Sequence, residues 1–321
     1  MKVLRLLLVV VLVSSLMGCS FVVLKGAKAP GKGTPEPADE GQVETVEEEP
    51  VVEETGPEDI VEASPKEENP TVEEPPAKET PKSGKVLDYE ILDRLDNTKY
   101  SWGLKLNSEH KTPEIPSYVV EMLKDHAGIF TGDTSQKVVY LTFDEGYENG
   151  YTAKILDVLK ENDVKSIFFI TGSYLERNPE LVRRMLEEGH EVGNHSVNHP
   201  SLPDVDNERL ERELLGLEEK FYSEFNRNFK YFRPPNGEYS RRTLEAAKQM
   251  GYKNVFWSFA YKDWDVNDQK GADYAYNKVM DNLHNGAVIL LHAVSKDNAE
   301  ALDRIIKGIR EEGYEIRPFD L

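Results

Sequence analysis

Acidic side chains follow an apolar run of the sequence, at the point where a strand would end. Asp144 and Glu145 come directly after the run that begins at Val138. Two adjacent carboxylates in such a position can supply a general base and a metal ligand. The alternative interpretation is a turn that caps the following helix. The pair therefore points to catalysis only if other reactive groups lie near it.

Two histidines four residues apart, His195 and His199, form a second reactive group. Neutral imidazole is a common metal ligand, and this spacing allows both rings to reach one ion. Alone, the spacing is weak evidence. The nearby His190-Glu191 begins like a metalloprotease motif, but the second histidine would have to stand at position 194, where the chain has Asn. We therefore interpret His190 as a loop or packing residue.

Three further groups follow later in the chain. Arg233 precedes the sequence Pro-Pro-Asn-Gly, which predicts a rigid turn around Asn236. Asp263 stands directly before Trp264, and His292 ends another apolar run. Each has a structural alternative, since a rigid loop needs no chemistry and a lone histidine at a strand end is more often structural than catalytic.

The elements that carry these groups can be predicted from the spacing of apolar residues after Lys137. The predicted strands are 138–143, 166–170, 191–193, 231–232, 254–257, 287–291 and 314–316, and the predicted helices are 151–161, 179–188, 207–225, 240–250, 273–283 and 297–312. This alternation predicts an α/β fold with a parallel sheet covered by helices, either open or closed as a barrel. Catalytic residues of such folds gather at the carboxyl ends of strands. Since all five groups follow strands, we expect them to lie together.

The composition excludes several classes of protein. The chain has 321 residues and a formal net charge of −20, which argues against binding to nucleic acid. Its single cysteine excludes an intrachain disulfide and a cysteine-based zinc ribbon. Residues 36–80 hold 17 Asp or Glu against 2 Lys, a net charge of −15, and no aromatic residue. We predict a disordered acidic linker over residues 20–85.

The N-terminus resembles a secretory signal peptide, with Lys2 and Arg5 before a short apolar run. The run is too short to predict a transmembrane helix. It ends in Leu-Met-Gly-Cys, which resembles a bacterial lipobox, so residues 1–19 are predicted to be a lipoprotein signal peptide and Cys19 the lipidated residue. An ordinary cleaved signal or an uncleaved anchor is the alternative. We therefore predict a domain outside the cytoplasm, lipid-anchored to the bacterial cell membrane or else secreted, with the linker as its tether.

The order of the motifs TFDEG, HSVNH, RPPNG, Asp-Trp and LLH resembles the polysaccharide deacetylase family, also called the NodB homology domain or carbohydrate esterase family 4. More narrowly, FDEGYENGYT, YSWGL, DWDVNDQKG and HAVSKDNAEAL are similar to the delta-lactam-biosynthetic deacetylases of sporulating bacteria. The resemblance covers roughly residues 100–321. It implies a distorted (β/α) barrel of about seven parallel strands over residues 137–321. Residues 86–136 are expected to be an extension packing on the barrel, with 100–104 bracing its floor.

The resemblance also implies a metal site. His195 and His199 would hold a divalent metal, usually Zn²⁺, with open positions for water and the substrate carbonyl. The family commonly has a second Asp where this chain has Glu145. We expect Glu145 to be the third ligand, and the alternative is that its side chain turns away.

For the remaining groups, the resemblance implies catalytic roles. Asp144 would be the general base and Arg233 would orient it, while His292 would protonate the leaving amine with Asp263 orienting the imidazole. The implied substrate contacts are the backbone N–H of Asn236 at the oxyanion, with Trp264 and Leu290 lining the acetyl pocket.

The implied function is removal of N-acetyl groups from peptidoglycan amino sugars. The leading hypothesis is a monomeric deacetylase of N-acetylmuramic acid lacking its stem peptide, leading to muramic delta-lactam in spore cortex. Its partners would be the glycan strand and, through the lipid anchor, the membrane. Alternatives are a deacetylase of N-acetylglucosamine or of another polysaccharide, a glycosidase, and a non-catalytic wall-binding module.

Overall fold

The computed structural model describes residues 84–321. The predicted signal peptide with Cys19, and nearly all of the acidic linker, lie outside the described residues. Among residues 84–321, no helix has the length and apolar character needed to cross a membrane.

Nine helices and ten strands are formed by the described part of the chain. The helices are α1 Tyr89–Leu92, α2 Ser117–Asp125, α3 Thr152–Glu161, α4 Gly172–Arg177, α5 Pro179–Glu187, α6 Asn207–Phe225, α7 Arg241–Gln249, α8 Ala272–Met280 and α9 Lys296–Glu311. The strands are β1 Tyr100–Ser101, β2 Gly128–Ile129, β3 Val138–Glu145, β4 Ile167–Ile170, β5 Glu191–Asn194, β6 Tyr231–Phe232, β7 Glu238–Tyr239, β8 Lys253–Val255, β9 Ala287–His292 and β10 Glu315–Ile316. Short 3₁₀ turns occupy Leu202–Asp204 and Pro235–Gly237.

Eight of these strands form one parallel sheet in the order β10-β3-β4-β5-β6-β8-β2, with β9 also paired to β3. The sheet curls until its ends meet. After β8, Phe259 forms a single parallel bridge to Ile289 of β9, and Thr131 after β2 bridges Ala287. The predicted distorted (β/α) barrel is thereby confirmed. Seven of the eight strands lie within residues 137–321, and the eighth is contributed by the extension.

Strand β3 is central to the barrel, and all eight of its residues are buried. Such a nearly continuous apolar run is typical of a parallel strand covered on both faces. Its side chains alternate between two cores. Val138 and Tyr140 belong to a small cluster with Phe169, whereas Val139 and Leu141 belong to the large cluster that includes the helices. The same alternation determines to which side the later side chains of β3 point.

Helix ends are fixed by local hydrogen bonds. Asp206 caps α6 by accepting from the backbone N–H of Arg209, and Asn226 ends that helix in the left-handed conformation. Ser295 caps α9 by accepting from the N–H of Asn298. Only three residues separate the end of β9 from the start of α9, so this helix begins close to the carboxyl ends of the strands.

The extension is more than a covering segment. Its strand β2 pairs with β8 within the main sheet, and β1 pairs antiparallel with β7. Helix α2 packs with residues of β7 and α7 in a third apolar cluster. Residues 86–136 thus supply part of the barrel and contact the chain immediately after the Pro-Pro-Asn-Gly turn.

Candidate functional site

A cavity of about 460 Å³ opens at the carboxyl ends of the strands. Seven residues predicted from the sequence line it, namely Asp144, His195, His199, Asn236, Trp264, Leu290 and His292. The remaining predicted residues, apart from Cys19, are Glu145, Arg233 and Asp263, which do not line the cavity. Sequence reasoning did not single out Tyr147 or Trp257, which also line the cavity.

Asp144 ends the inward-facing row of β3 and is held by Arg233. The guanidinium Nη1 donates to Asp144 Oδ1 over 2.6 Å, and the arginine side chain is fully buried. Its Nε donates to the carbonyl of Val255, and the guanidinium lies 4.1 Å from the ring centroid of Phe169. Burial alone would raise the pKa of Asp144, but the charge of Arg233 and the nearby histidines outweigh it and lower that pKa. Asp144 is therefore ionised at neutral pH, as a general base must be.

The rings of His195 and His199 lie next to each other in the cavity wall, with their Nε2 atoms 3.1 Å apart. The Nδ1–H of His195 donates to the carbonyl of Arg233 over 2.8 Å, which leaves Nε2 with its lone pair towards the cavity. Burial lowers the pKa of His195 to about 3 and also lowers that of His199, so both rings are neutral. A pair of neutral imidazoles with converging Nε2 atoms fits a divalent metal.

The turn that joins the two histidines has an unusual backbone. Ser196 and His199 both have positive φ, of 64° and 57°. Such conformations are uncommon for residues with a side chain and persist only where the surroundings stabilise them. Here Ser196 N donates to Asn194 Oδ1 over 2.8 Å, and Ser196 Oγ accepts from His199 N over 2.9 Å. The strained turn thus places the ring of His199, four residues further along the chain, beside the ring of His195.

Glu145 is not brought together with the two histidines. Strand β3 continues through it, so its side chain follows the outward row of Val139 and Leu141 while Asp144 points into the barrel. The Glu145 carboxylate lies against Thr152 Oγ1 at the start of α3, at 3.4 Å, and is fully buried. Burial, with Glu148 nearby, raises its pKa well above the usual value. The predicted two-histidine, one-carboxylate ligand set is therefore not formed here, and among residues 84–321 no group of three His, Cys, Asp or Glu side chains is arranged to hold a metal.

His292 lies opposite Asp144, because the two residues are register partners on β9 and β3. Its Nδ1–H donates to Asp263 Oδ1 over 2.7 Å, so Nε2 is left for the cavity. Burial would lower the pKa of His292, but Asp263 and Asp144 outweigh it and raise that pKa. The pairing of Asp263 with His292 that the resemblance implied is present. An acid and a base thus lie side by side in the cavity.

The turn at Asn236 is braced by the extension. Asn236 has a left-handed backbone with φ of 57°, and Gly237 follows with φ of 64°. Trp102 N donates to the carbonyl of Gly237 over 2.8 Å, and Trp102 Nε1 donates to the carbonyl of Trp257 over 3.0 Å. The indole also stacks on Phe256, with ring centroids 4.3 Å apart. The expectation that residues 100–104 brace the barrel floor is wrong, since they support the turn beside the cavity.

The geometry supports hydrolysis of a carbonyl compound. Asp144 can accept a proton from water on one side, and His292 can donate one to a leaving group on the other. Trp264, 52% exposed, stands at the mouth, while the buried Leu290 offers an apolar surface inside. The cavity therefore combines an apolar wall for a small group with polar atoms for bond cleavage.

Comparisons with known proteins agree with this arrangement. A family model described as polysaccharide deacetylase matches residues 131–255. The chain is 41% identical over 229 residues to the peptidoglycan-N-acetylmuramic acid deacetylase PdaA of Bacillus subtilis, covering 71% of this chain and 87% of PdaA. It is 46% identical over 227 residues to an uncharacterised 30.6 kDa protein of Geobacillus stearothermophilus, covering 70% of this chain and 86% of that protein.

Solved structures give the same picture. The structure of Bacillus subtilis PdaA, a family 4 carbohydrate esterase, is similar with a TM-score of 0.68 and covers 70% of this chain and 97% of its own. A family 4 carbohydrate esterase from Bacillus anthracis is 43% identical, with a TM-score of 0.60, and covers 70% of this chain and 96% of its own.

Proposed function

Since this chain belongs to the polysaccharide deacetylase family and is a deacetylase of peptidoglycan, we propose that the sugar it acts on is N-acetylmuramic acid lacking its stem peptide. The similarity to PdaA, whose name gives that sugar as its substrate, supports the proposal. The observation that carries the chemistry is the placement of Asp144 and His292 side by side in one cavity, each held by its own buried partner.

The reaction is hydrolysis of an amide to acetate and a free amine. Asp144, kept ionised by Arg233, accepts the proton of the attacking water. The backbone N–H of Asn236 stabilises the negative charge that develops on the acetyl oxygen. His292, oriented by Asp263, gives its proton to the departing amine nitrogen.

Two further sets of residues complete the proposal. Trp264 and Leu290 would line the pocket that receives the acetyl methyl group. His195 and His199 fit a divalent metal, which we propose to be Zn²⁺, and its chemistry when bound is Lewis-acid polarisation of the acetyl carbonyl and the attacking water.

The freed amine would allow a delta-lactam to form. In a muramic acid without its stem peptide, the lactyl carboxyl group is close to the new amine. Closure of a six-membered lactam forms one amide bond and releases one water. We propose that deacetylation by this chain precedes that step in spore cortex.

Acetate release from peptide-stripped peptidoglycan tests the proposal. The wild type with Zn²⁺ should release acetate, and Asp144→Asn should lower kcat by about 10² to 10⁴, the contribution of general base catalysis. Asp273→Asn, at an exposed aspartate on α8, should keep full activity. Unchanged activity in Asp144→Asn would show that the base is assigned wrongly.

The products decide the sugar. Mass spectrometry of the treated glycan should show loss of acetyl from muramic acid and, after ring closure, loss of one water. Faster release from N-acetylglucosamine oligomers would identify that sugar as the substrate instead. New reducing ends would indicate a glycosidase, and no product with any glycan would indicate a binding module.

We also propose that the chain is a monomer lipid-anchored through Cys19 outside the cytoplasm, with residues 20–85 as a tether. Labelling of cells with a radioactive fatty acid should mark the wild type and leave Cys19→Ala unmarked. Recovery of unlabelled wild type from the medium would indicate an ordinary secreted protein.

A further inference from the structure

We propose that Asn298, in the first turn of α9, is a positioning residue that fixes the Asp263 carboxylate against His292. The inference rests on the proposed function, because it concerns the group that protonates the leaving amine. Asn298 does not line the cavity and lies at the start of a helix, where its side chain is 1% exposed.

The contacts of Asn298 converge on the catalytic pair. Its Nδ2 donates to Asp263 Oδ2 over 2.6 Å and to the carbonyl of His292 over 3.2 Å. Asp263 Oδ2 also accepts from the backbone N–H of His292 over 2.8 Å, while Asp263 Oδ1 accepts from its ring. Asp263 is therefore held by three donors. Asn298 is the only one of the three that does not belong to His292 itself.

A second side chain fixes which way the amide of Asn298 faces. The hydroxyl of Tyr261 donates to Asn298 Oδ1 in a short hydrogen bond. Because the Asp263 carboxylate and the His292 carbonyl can only accept, the NH₂ group must face them, and Tyr261 then holds the oxygen end of the amide. The amide thus acts as a donor that cannot turn away, and the partly buried Tyr261 makes aromatic contacts with Phe259 and Tyr274.

The same helical turn holds the far end of the loop that carries Asp263. Asp297 Oδ2 accepts from the backbone N–H groups of Lys270 and Gly271, at 2.6 and 2.7 Å. The loop from Asp263 to Gly271 is thus held at both ends by two consecutive residues of α9. Trp264, at the cavity mouth, stands within that loop.

Positioning matters because several charged groups lie close to the imidazole of His292. The charged and titratable groups that face its imidazole are Asp263, Asp144 and Arg233, with His199 on the opposite wall. A carboxylate held at one angle keeps the Nδ1–H donor engaged and Nε2 directed at the substrate. Without the amide of Asn298, the Asp263 carboxylate can rotate. The hydrogen bond from Nδ1–H and the direction of Nε2 then both become variable.

A double-mutant cycle on kcat tests the proposal in the full chain. Asn298→Ala should lower kcat about tenfold or more, with KM changed by less than about twofold. In the Asp263→Ala background, where there is no carboxylate to position, the same substitution should change kcat by less than about twofold. Asn298→Asp should be at least as damaging as Asn298→Ala, since it places two carboxylates together. Equal effects of Asn298→Ala in both backgrounds would overturn the proposal.

Asn162→Ala is the matched control. Asn162 Nδ2 also makes two hydrogen bonds, to the carbonyl of Val158 and to Asp303, but far from the cavity. This variant should keep the wild-type kcat. If Asn298→Ala does not fold, Tyr261→Phe replaces it in the cycle with a smaller fall of about threefold, and an additive result there overturns the proposal equally.

A readout without substrate separates this inference from the proposed function. The His292 Nδ1 proton, held between nitrogen and Asp263, should give a downfield NMR signal in the wild type and in Asn162→Ala. In Asn298→Ala the signal should broaden or vanish through faster exchange. If the wild type released no acetate, the proposed function would fail, and the NMR comparison would still decide the role of Asn298. A signal unchanged in Asn298→Ala would contradict that role.

Discussion

Replacing Trp102 by alanine should reduce catalysis although Trp102 lies 42 positions before Asp144, the first of the proposed catalytic residues. Its backbone and indole N–H groups bind the carbonyls of Gly237 and Trp257, on either side of the Asn236 turn. Removing the indole takes away one of these bonds and the surface on which Phe256 stacks. The turn that presents the Asn236 N–H then loses its support.

The magnitude follows from burial. Trp102 is partly exposed, so truncation should lower the free energy of unfolding by about 2 kcal/mol, within the range for burying a large apolar side chain. For a domain of this size, that is a fall of about 4 to 8 °C in Tm. Loss of an oxyanion donor lowers kcat by about 10² to 10³. A displaced donor should do less, so we expect a fall of about 10- to 100-fold.

The assay is acetate release at saturating substrate, at a temperature well below the Tm of the variants. Trp102→Phe keeps an aromatic ring on Phe256 and removes the Nε1–H, so its kcat should lie between those of wild type and Trp102→Ala. Phe225→Ala removes another partly buried ring, at the end of α6 beside Phe221. It should lower Tm and leave kcat unchanged.

The reasoning would be refuted if Trp102→Ala were destabilised like Phe225→Ala and kept the wild-type kcat. Trp102 would then be a packing residue only. A fall in kcat/KM due to KM alone would likewise contradict support of the oxyanion turn, because an oxyanion donor acts in the transition state.

Three further predictions concern other residues. Burial lowers the pKa of His190 to about 4 from its usual 6.5, so the unfolded chain binds more protons than the folded chain between these pH values. Up to about 3 kcal/mol of stability should therefore be lost as pH falls from about 6.5 to about 4. A plot of Tm against pH should show this loss, and the loss should be smaller in His190→Gln. Glu145→Gln should keep Zn²⁺ affinity within about threefold, whereas His199→Ala should lower it at least about tenfold, as calorimetry can measure; equal losses would restore Glu145 as a ligand. Gly237→Ala should lower both Tm and kcat, since a Cβ there would lie 2.8 Å from the ring of Trp257 on a backbone with φ of 64°, and a variant with wild-type values of both would contradict this.

Much of the barrel was predictable because its strands are short apolar runs followed by helices with the 3.6-residue period. Helix α6 was predicted from its apolar spacing with its observed bounds, 207–225, and the structure shows Asp206 capping its start and a left-handed Asn226 ending it. The rule that catalytic groups follow parallel strands correctly brought Asp144, His195 and His292 into one cavity.

The error at Glu145 has a specific cause. The predicted strand ended at 143, so both acids were placed in the loop after it, Asp144 as the general base and Glu145 as a metal ligand. Strand β3 extends to Glu145 and pairs there with Ile170. Within a strand, adjacent side chains point to opposite faces, so Glu145 lies against Thr152 on the face opposite to Asp144. Counting the alternation from Val138 would have separated them.

The sequence of the extension contains no comparable signal for its strands. Strands β1 and β2 have two residues each, and their partners Tyr239 and Asn254 lie more than 100 positions further along the chain. Neither periodicity nor turn residues can identify such pairs, because the information is in packing between distant segments. Asn298 was missed for a related reason, since an Asn near a helix start usually serves the helix itself.

The long-range bridge between Arg233 and Asp144 also bears on how the chain folds. The two residues are 89 positions apart, and the contacts of Trp102 with Trp257 span 155. Loops of this length close slowly, and parallel sheets with distant pairings are among the slower topologies to form. The catalytic groups become neighbours only when β3 has found β9 and the extension has returned to the Asn236 turn. Refolding should therefore regain activity in its slowest phase, after most helix content has formed, so that no partly folded intermediate is an active enzyme.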